Sequence, residues 1–286
     1  MSYKTLEHDE GFEIIEDWVK NGIPKGLSAG WPEWDKFFTI KKGQLNVVSG
    51  YPSSGKSEFV EAIACNLALK NKWNITMYSP EKYPIQSQQL SLMEKIAGNQ
   101  IVRRGPGRVL TDDERYKAEF IVKKRFTIIS ADEDAYSFEA ILAGIQQRYE
   151  SGEKIDMVIL DPWNELENGR PSNMTETDYI GVCLRDARRL ARRLNISFWI
   201  VAHPSKPAIK DKDGKYPVPD LYDLSGSSHW RNKADNGIIV HRYTLEGTAV
   251  HVFVRKIKDR FYGKPGEKMF NFLPNSGRYE TMREEF

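Results

Sequence analysis

The chain has 286 residues but only two cysteines, Cys65 and Cys183. Both sit in apolar, helix-like contexts far apart in sequence. That reads as two buried thiols rather than a disulfide or a metal-ligand pair, and no Cys/His cluster has zinc spacing. No apolar run approaches the ~18 residues that a bilayer-spanning helix needs. Neither sign of charge dominates, because 42 Lys and Arg against 40 Asp and Glu leave a net charge of +2. A nucleic-acid partner is therefore neither demanded nor excluded, and any basic surface has to be local. The first residues, MSYKTLEHDEGFEIIEDW, are acidic, which argues against a secretory signal or an Arg-rich transit peptide. A reducing, cytoplasmic setting without a membrane partner is expected. There are no internal repeats and no low-complexity tracts.

What is present is a succession of short apolar runs and helical stretches. Phe12, Ile15, Trp18 and Val19 share one face of a short amphipathic helix that ends at Gly22-Ile23-Pro24. Either that helix folds back on its own core, or it is an arm laid on a neighbouring subunit. Residues 1–30 are accordingly set apart from a body at 31–286. In the body, strands are expected at 45–48, 74–79, 126–129, 155–160 and 196–202. Helices are expected at 56–70, 86–97, 138–149 and 178–194. Near-continuous apolar strands alternating with helices predict an α/β fold, a mostly parallel twisted sheet covered by helices on both faces. Strands at 237–241, 249–255 and 268–272, joined by short turns, are expected to extend it in antiparallel fashion. Ligands in such sheets bind beyond the carboxyl ends of the strands.

The strand at 45–48 runs into SGYPSSGKSE, which fits G-x-x-x-x-G-K-[ST] with Gly50, Gly55, Lys56 and Ser57 in the fixed places. Glycines there let successive N–H groups turn inward on the β- and γ-phosphates. Lys56 adds a point charge, Ser57 a hydroxyl for Mg²⁺, and the following helix its positive end. Ser53, Ser54 and Glu58 complete the expected ATP contacts. MVILD places Asp161 at a second strand end, where an aspartate holds the Mg²⁺ shell or merely starts a turn before Pro162. SPE places Glu81 at a third, suited to polarising the water that attacks the γ-phosphate, although a glutamate after proline is unremarkable alone. His203 follows the 196–202 strand, either structural or a sensor of the γ-phosphate. In RKIKDRFYGKPG, Lys258 and Arg260 lie two residues apart. On an extended segment both would face one anion, and the plainer alternative is a solvated basic hairpin.

The pieces GYPSSGKS, SPE, MVILD, IVAHPSK, DLSGSSHWRNKAD and KIKDRFYGKPG, in that order, resemble the RecA-like motor domain of hexameric replicative DNA helicases, the DnaB-type superfamily. His203 is similar to the phage primase-helicase and Twinkle branch. The resemblance implies an ATP- and Mg²⁺-dependent hexameric ring that moves on single-stranded DNA and unwinds duplex, bacterial or phage-encoded, with a primase or a loader as further partners. It implies that Lys258 and Arg260 act on the neighbour's γ-phosphate, Arg260 as an arginine finger, and that Arg242 and Phe272 sandwich the base. It also implies DNA contacts from Asn164 and Arg170, from Lys206, Lys210, Lys212 and Lys215, and from Ser227 and Ser228. Four lysines within ten residues suit a phosphate track, though any surface loop can look so. Arg185, Arg188, Arg189, Arg192 and Arg193 oppose the apolar stripe of the 178–194 helix and read as a solvated or interface face. Two rivals remain: a RecA/KaiC-like ATPase that does not unwind, and a nucleotide-binding assembly or loading protein.

Overall fold

The computed structural model describes residues 8–129, 136–166, 169–205, 209–224 and 227–282. Its helices are α1 (His8–Asn21), α2 (Pro32–Asp35), α3 (Lys56–Asn71), α4 (Ile85–Ala97), α5 (Asp112–Arg125), α6 (Phe138–Glu150), α7 (Glu176–Leu194) and α8 (Ser227–Lys233). Its strands are β1 (Leu45–Ser49), β2 (Ile75–Tyr78), β3 (Phe126–Ile129), β4 (Met157–Leu160), β5 (Ser197–Ala202), β6 (Asn236–His241), β7 (Ala249–Ile257), β8 (Gly266–Leu273) and β9 (Arg278–Thr281).

All nine strands form one sheet in the order β3-β2-β4-β5-β1-β6-β7-β8-β9. The pairings from β3 through β6 are parallel, and those from β6 through β9 are antiparallel. The expected α/β sheet with an antiparallel extension is what forms, with two differences. The strand at 236–241 belongs to the parallel part through its pairing with β1, so the reversal comes one strand later than expected. The extension is also one strand longer, because β9 folds back on β8.

β1, β2, β4, β5 and β6 are buried along their whole length. They have a helical layer on each face, which explains why they read as unbroken apolar runs. One face packs on α3, where Phe59 joins Trp31, Trp34, Phe270 and Tyr279 in an aromatic cluster. The other packs on α7 through Ile180, Cys183, Leu184, Ala187 and Ala191. Both cysteines are buried and free. The body reaches back to Leu27, which pairs with Ile40. On the apolar face of α1, Phe12, Ile15 and Val19 are exposed and Trp18 is partly buried.

Candidate active site

β1 ends in the glycine loop, and the loop's shape depends on close backbone approach. A Cβ on Gly50 would lie 2.2 Å from the Val240 carbonyl oxygen of β6 and 2.5 Å from Ser54 Oγ. Gly55 has φ 92° and Ser53 has φ 63°, left-handed turns that swing the backbone around the loop interior. Ser54 Oγ is buried with no hydrogen-bond partner among the described residues. α3 starts at Lys56 directly behind the loop, so its positive end and its unpaired N–H groups face the same interior. An orphaned hydroxyl, a helix terminus and a curled backbone together fit phosphate oxygens.

Three further strand ends converge on this loop. Ser57 Oγ donates to Asp161 Oδ1 at 3.0 Å, just past β4. Burial pushes the Asp161 carboxyl up to about 6, against the pull of Ser57 and the nearby Lys82. Burial likewise lowers the Lys56 ammonium, with Asp161 and Glu81 acting to hold its proton. Glu81 follows β2 and its Oε1 lies 3.8 Å from His203 Nε2, which follows β5. Burial, and then the charge of Lys56, lower His203 to about 4, so the ring is neutral at pH 7. The Asn164 side chain accepts the His203 backbone N–H at 2.9 Å, which ties the segment after β4 to the one after β5. The structure thus brings Lys56, Ser57, Glu81, Asp161, His203 and Asn164 into one neighbourhood.

Arg242, after β6, holds its guanidinium 5.6 Å from the centre of the Phe272 ring on β8. Phe272 leans on Tyr279, whose hydroxyl donates to the Gly55 carbonyl at 3.0 Å. The pair therefore stands at the flank of the glycine loop. Glu58 turns the other way, and its carboxylate is committed to Lys82 and Lys95.

Lys258 and Arg260 are not part of this neighbourhood. β7 ends at Ile257, opposite Asn236 at the start of β6, so the expected extended segment stops before the first of the two cations. Asp259 instead caps a tight turn, accepting from Phe261 N and, through its carbonyl, from Tyr262 N. Lys258 meets Asp235, and Arg260 lies beside the ring of Phe261. Lys258 N donates to the Asp235 carbonyl and Asp235 N to that of Leu45, so both cations sit at the amino end of β1. Four steps of ~3.3 Å put Leu45 roughly 13 Å from Ser49, where the glycine loop begins.

The proposed DNA-facing residues lie on exposed segments around the carboxyl ends. Arg170 donates to the Met174 carbonyl at 2.7 Å. Lys210, Lys212 and Lys215 are exposed, with Lys210 over the Tyr216 ring, and Ser228 is exposed on α8. Lys206 lies outside the described residues, and nothing is described of the Ser227 side chain. Sequence reasoning missed Tyr279, Lys82 and Lys95. Tyr279 is far in sequence from the loop it touches, and the two lysines look like ordinary surface residues. Tyr216 was missed as well; its ring meets that of Tyr51, the second residue of the glycine loop, at 6.3 Å.

The family model described as the DnaB-like helicase C terminal domain matches residues 26–281. The Twinkle homolog protein, chloroplastic/mitochondrial, of Arabidopsis thaliana is 31% identical over 270 residues, covering 91% of this chain and 37% of its own length. The Replicative DNA helicase DnaB of Geobacillus stearothermophilus is 21% identical over 309 residues, covering all of this chain and 66% of its own. The chain thus spans little more than a third of the plant relative. Among solved structures, one described as an ATPase domain superposes with a TM-score of 0.78 at 20% identity, over 98% of this chain and 100% of that one. A DnaB-like replicative helicase, described with its primase interactions, gives the same TM-score and identity over 97% of this chain and 69% of its own. Those two show the fold.

Proposed function

Because the chain belongs to the DnaB-like helicase C-terminal domain family, we propose that it is the ATP-hydrolysing motor of a replicative-type DNA helicase, moving 5′ to 3′ along single-stranded DNA as a ring of copies and separating duplex ahead of it. One observation carries this reading. The phosphate-binding elements sit at the carboxyl ends of the parallel strands, while Lys258 and Arg260 sit at the amino end of the same sheet. Both cations lie far from the pocket of their own subunit, which supports a role for them at the pocket of a second copy. Each copy holds ATP on its glycine loop and offers two cations to the next.

In the pocket, the backbone of Gly50 to Gly55, Ser53, Ser54 and Lys56 holds the phosphates, and Arg242 and Phe272 hold the base. Ser57 and Asp161 would hold Mg²⁺, which supplies charge neutralisation at the phosphates. The carboxylate that burial makes reluctant to ionise is favoured in its ionised form beside such a cation. Glu81 orients the attacking water and draws on its proton, and the water oxygen displaces ADP from the γ-phosphorus. His203, neutral, with its ring near Glu81 and its backbone N–H held by Asn164, passes loss of the γ-phosphate to the lysine loop. The trans cations stabilise charge on the transferring phosphoryl group, an effect worth roughly 10³ to 10⁵ in rate for an arginine finger. Residues 1–30 would act as the arm between copies and 31–286 as the motor. A primase or a loader is a further partner, and the compartment is cytoplasmic. No described helix is long and apolar enough to cross a membrane.

ATP turnover with and without single-stranded DNA, and strand displacement on a forked duplex, test this together. DNA should raise turnover several-fold, and the fork should open with ATP but not in Lys56→Ala. Stimulation without displacement would leave a DNA-dependent ATPase that is no helicase, and a flat response to DNA would remove the motor altogether.

A further inference from the structure

The basic face of α7 carries one arginine that the scheme above leaves unused and that stands beside its trans cations. Arg192, in the last turn of α7, brings its guanidinium to Asp235 Oδ1 at 3.4 Å. The same oxygen accepts Lys258 Nζ at 3.1 Å, and Oδ2 accepts the backbone N–H of Leu45 at 3.0 Å. The Asp235 side chain is 2% exposed, while Arg192 and Lys258 are 52% and 48% exposed. A buried carboxylate, fixed to the first residue of the strand that feeds the glycine loop, therefore holds two half-exposed cations side by side. With Arg260 they line an open hollow of about 620 Å³ in which cations outnumber carboxylates.

We propose that Arg192 is a third cation lent in trans to the phosphates of the nucleotide held by a second copy of this chain, and that Asp235 is the residue that positions Arg192 and Lys258 for that task. The inference rests on the shared-site reading above. The contacts to Asp235 do not exhaust either cation. An ammonium has three N–H donors and a guanidinium five, so both keep donors for an incoming phosphate. Two cations on one carboxylate leave a net positive charge already held in place, which lessens the ordering needed when the phosphate arrives. A triphosphate is the complementary partner in charge. Arg192 is not the sole support of the buried carboxylate, which keeps Lys258 and the Leu45 N–H as partners when Arg192 is lost.

Arg192→Ala in the full chain should keep the wild-type thermal midpoint and oligomer mass. Its DNA-stimulated kcat should fall ~10-fold or more with KM within ~2-fold, the mark of a contact made chiefly in the transition state. Arg192→Lys should regain part of the loss. Mixing supplies the decisive readout: Arg192→Ala subunits combined with Lys56→Ala subunits should exceed the summed activity of the two parents, since some interfaces then hold an intact half from each. Asp235→Glu, which keeps the buried charge but displaces both cations, should lose activity and be rescued in the same way. If Arg192→Ala turns over ATP normally, or its mixture stays at the parental sum while an Arg260→Ala and Lys56→Ala mixture recovers, Arg192 has no trans role. Wild-type turnover in Asp235→Glu removes the positioning role. If the Arg260→Ala mixture also fails although the subunits co-assemble, the shared site itself is wrong and the inference goes with it.

Discussion

Lys95 is 1% exposed, and its ammonium lies between two carboxylates of α3, paired to Glu58 and 3.1 Å from Glu61 Oε2. Lys82, the residue after Glu81, closes the cluster at 2.8 Å from Glu61 and 3.1 Å from Glu58. Burial works against the Lys95 charge, but Glu61 and Glu58 outweigh it and raise its pKa. Burial likewise opposes ionisation of Glu58, and Lys95 and Lys82 overcome it, bringing that carboxyl down to about 2. Such a cluster is costly to break, because removing one member leaves an uncompensated buried charge. Lys95→Met should lower unfolding stability by ~3–5 kcal/mol in urea titration. Adding Glu61→Gln should return part of that, with a coupling of ~0.5–3 kcal/mol. Strictly additive losses would mean that the charges do not act as a unit. Nothing in the sequence marks Lys95 as different from any other helix lysine, which is why Glu58 was expected beside the nucleotide instead of beside two lysines.

At the scale of elements, β1, β2, β4 and β5 were legible because a strand buried on both faces has to be apolar throughout, and the glycine loop because close backbone approach restricts its residues. α5 was not legible. It buries only Ala118 and Val122 and is held by a capping box, Thr111 with Glu114, so its signal is polar rather than periodic. β9 escaped because four residues after a turn carry too little pattern. Lys258 and Arg260 were found as a pair, but their turn was not, since Asp259 reads equally well as a strand residue. The lysine segment has a local structure of its own. Lys215 N and Asp213 N both donate to Asp211 Oδ1 at 2.9 Å, and Tyr216 N donates to the Tyr243 carbonyl. That turn leaves Lys210, Lys212 and Lys215 in solvent on a short, anchored loop. Replacing all three with Gln should weaken single-stranded DNA binding and flatten the slope of log K against log salt by about 2, near 0.7 per lost phosphate contact. An unchanged slope in a fluorescence-anisotropy titration would show that DNA does not run along this loop.

At the scale of the whole molecule, α1 leaves most of its apolar side chains open to solvent. Phe12 is 60% exposed and Val19 81%, and Ile14 and Ile15 are also open to solvent, while Trp18 O caps the helix through Gly22 N. Four apolar side chains on this helix thus stay largely outside the core of its own body. Each such side chain gains ~1.5–3 kcal/mol when buried, so a surface on a second copy is the economical place for it, and the proposed trans site would require such copies to be held in contact. Removing residues 1–21 should therefore leave the thermal midpoint of the body unchanged while shifting mass, measured by sedimentation velocity at matched concentration, from ring to monomer. DNA-stimulated turnover should fall with it, because the sites between copies come apart. Phe12→Glu with Val19→Glu should reproduce both effects in the full-length chain. A truncated chain that sediments as the same assembly would mean that the copies associate through other surfaces, and one that melts earlier would mean that the arm packs on its own body after all.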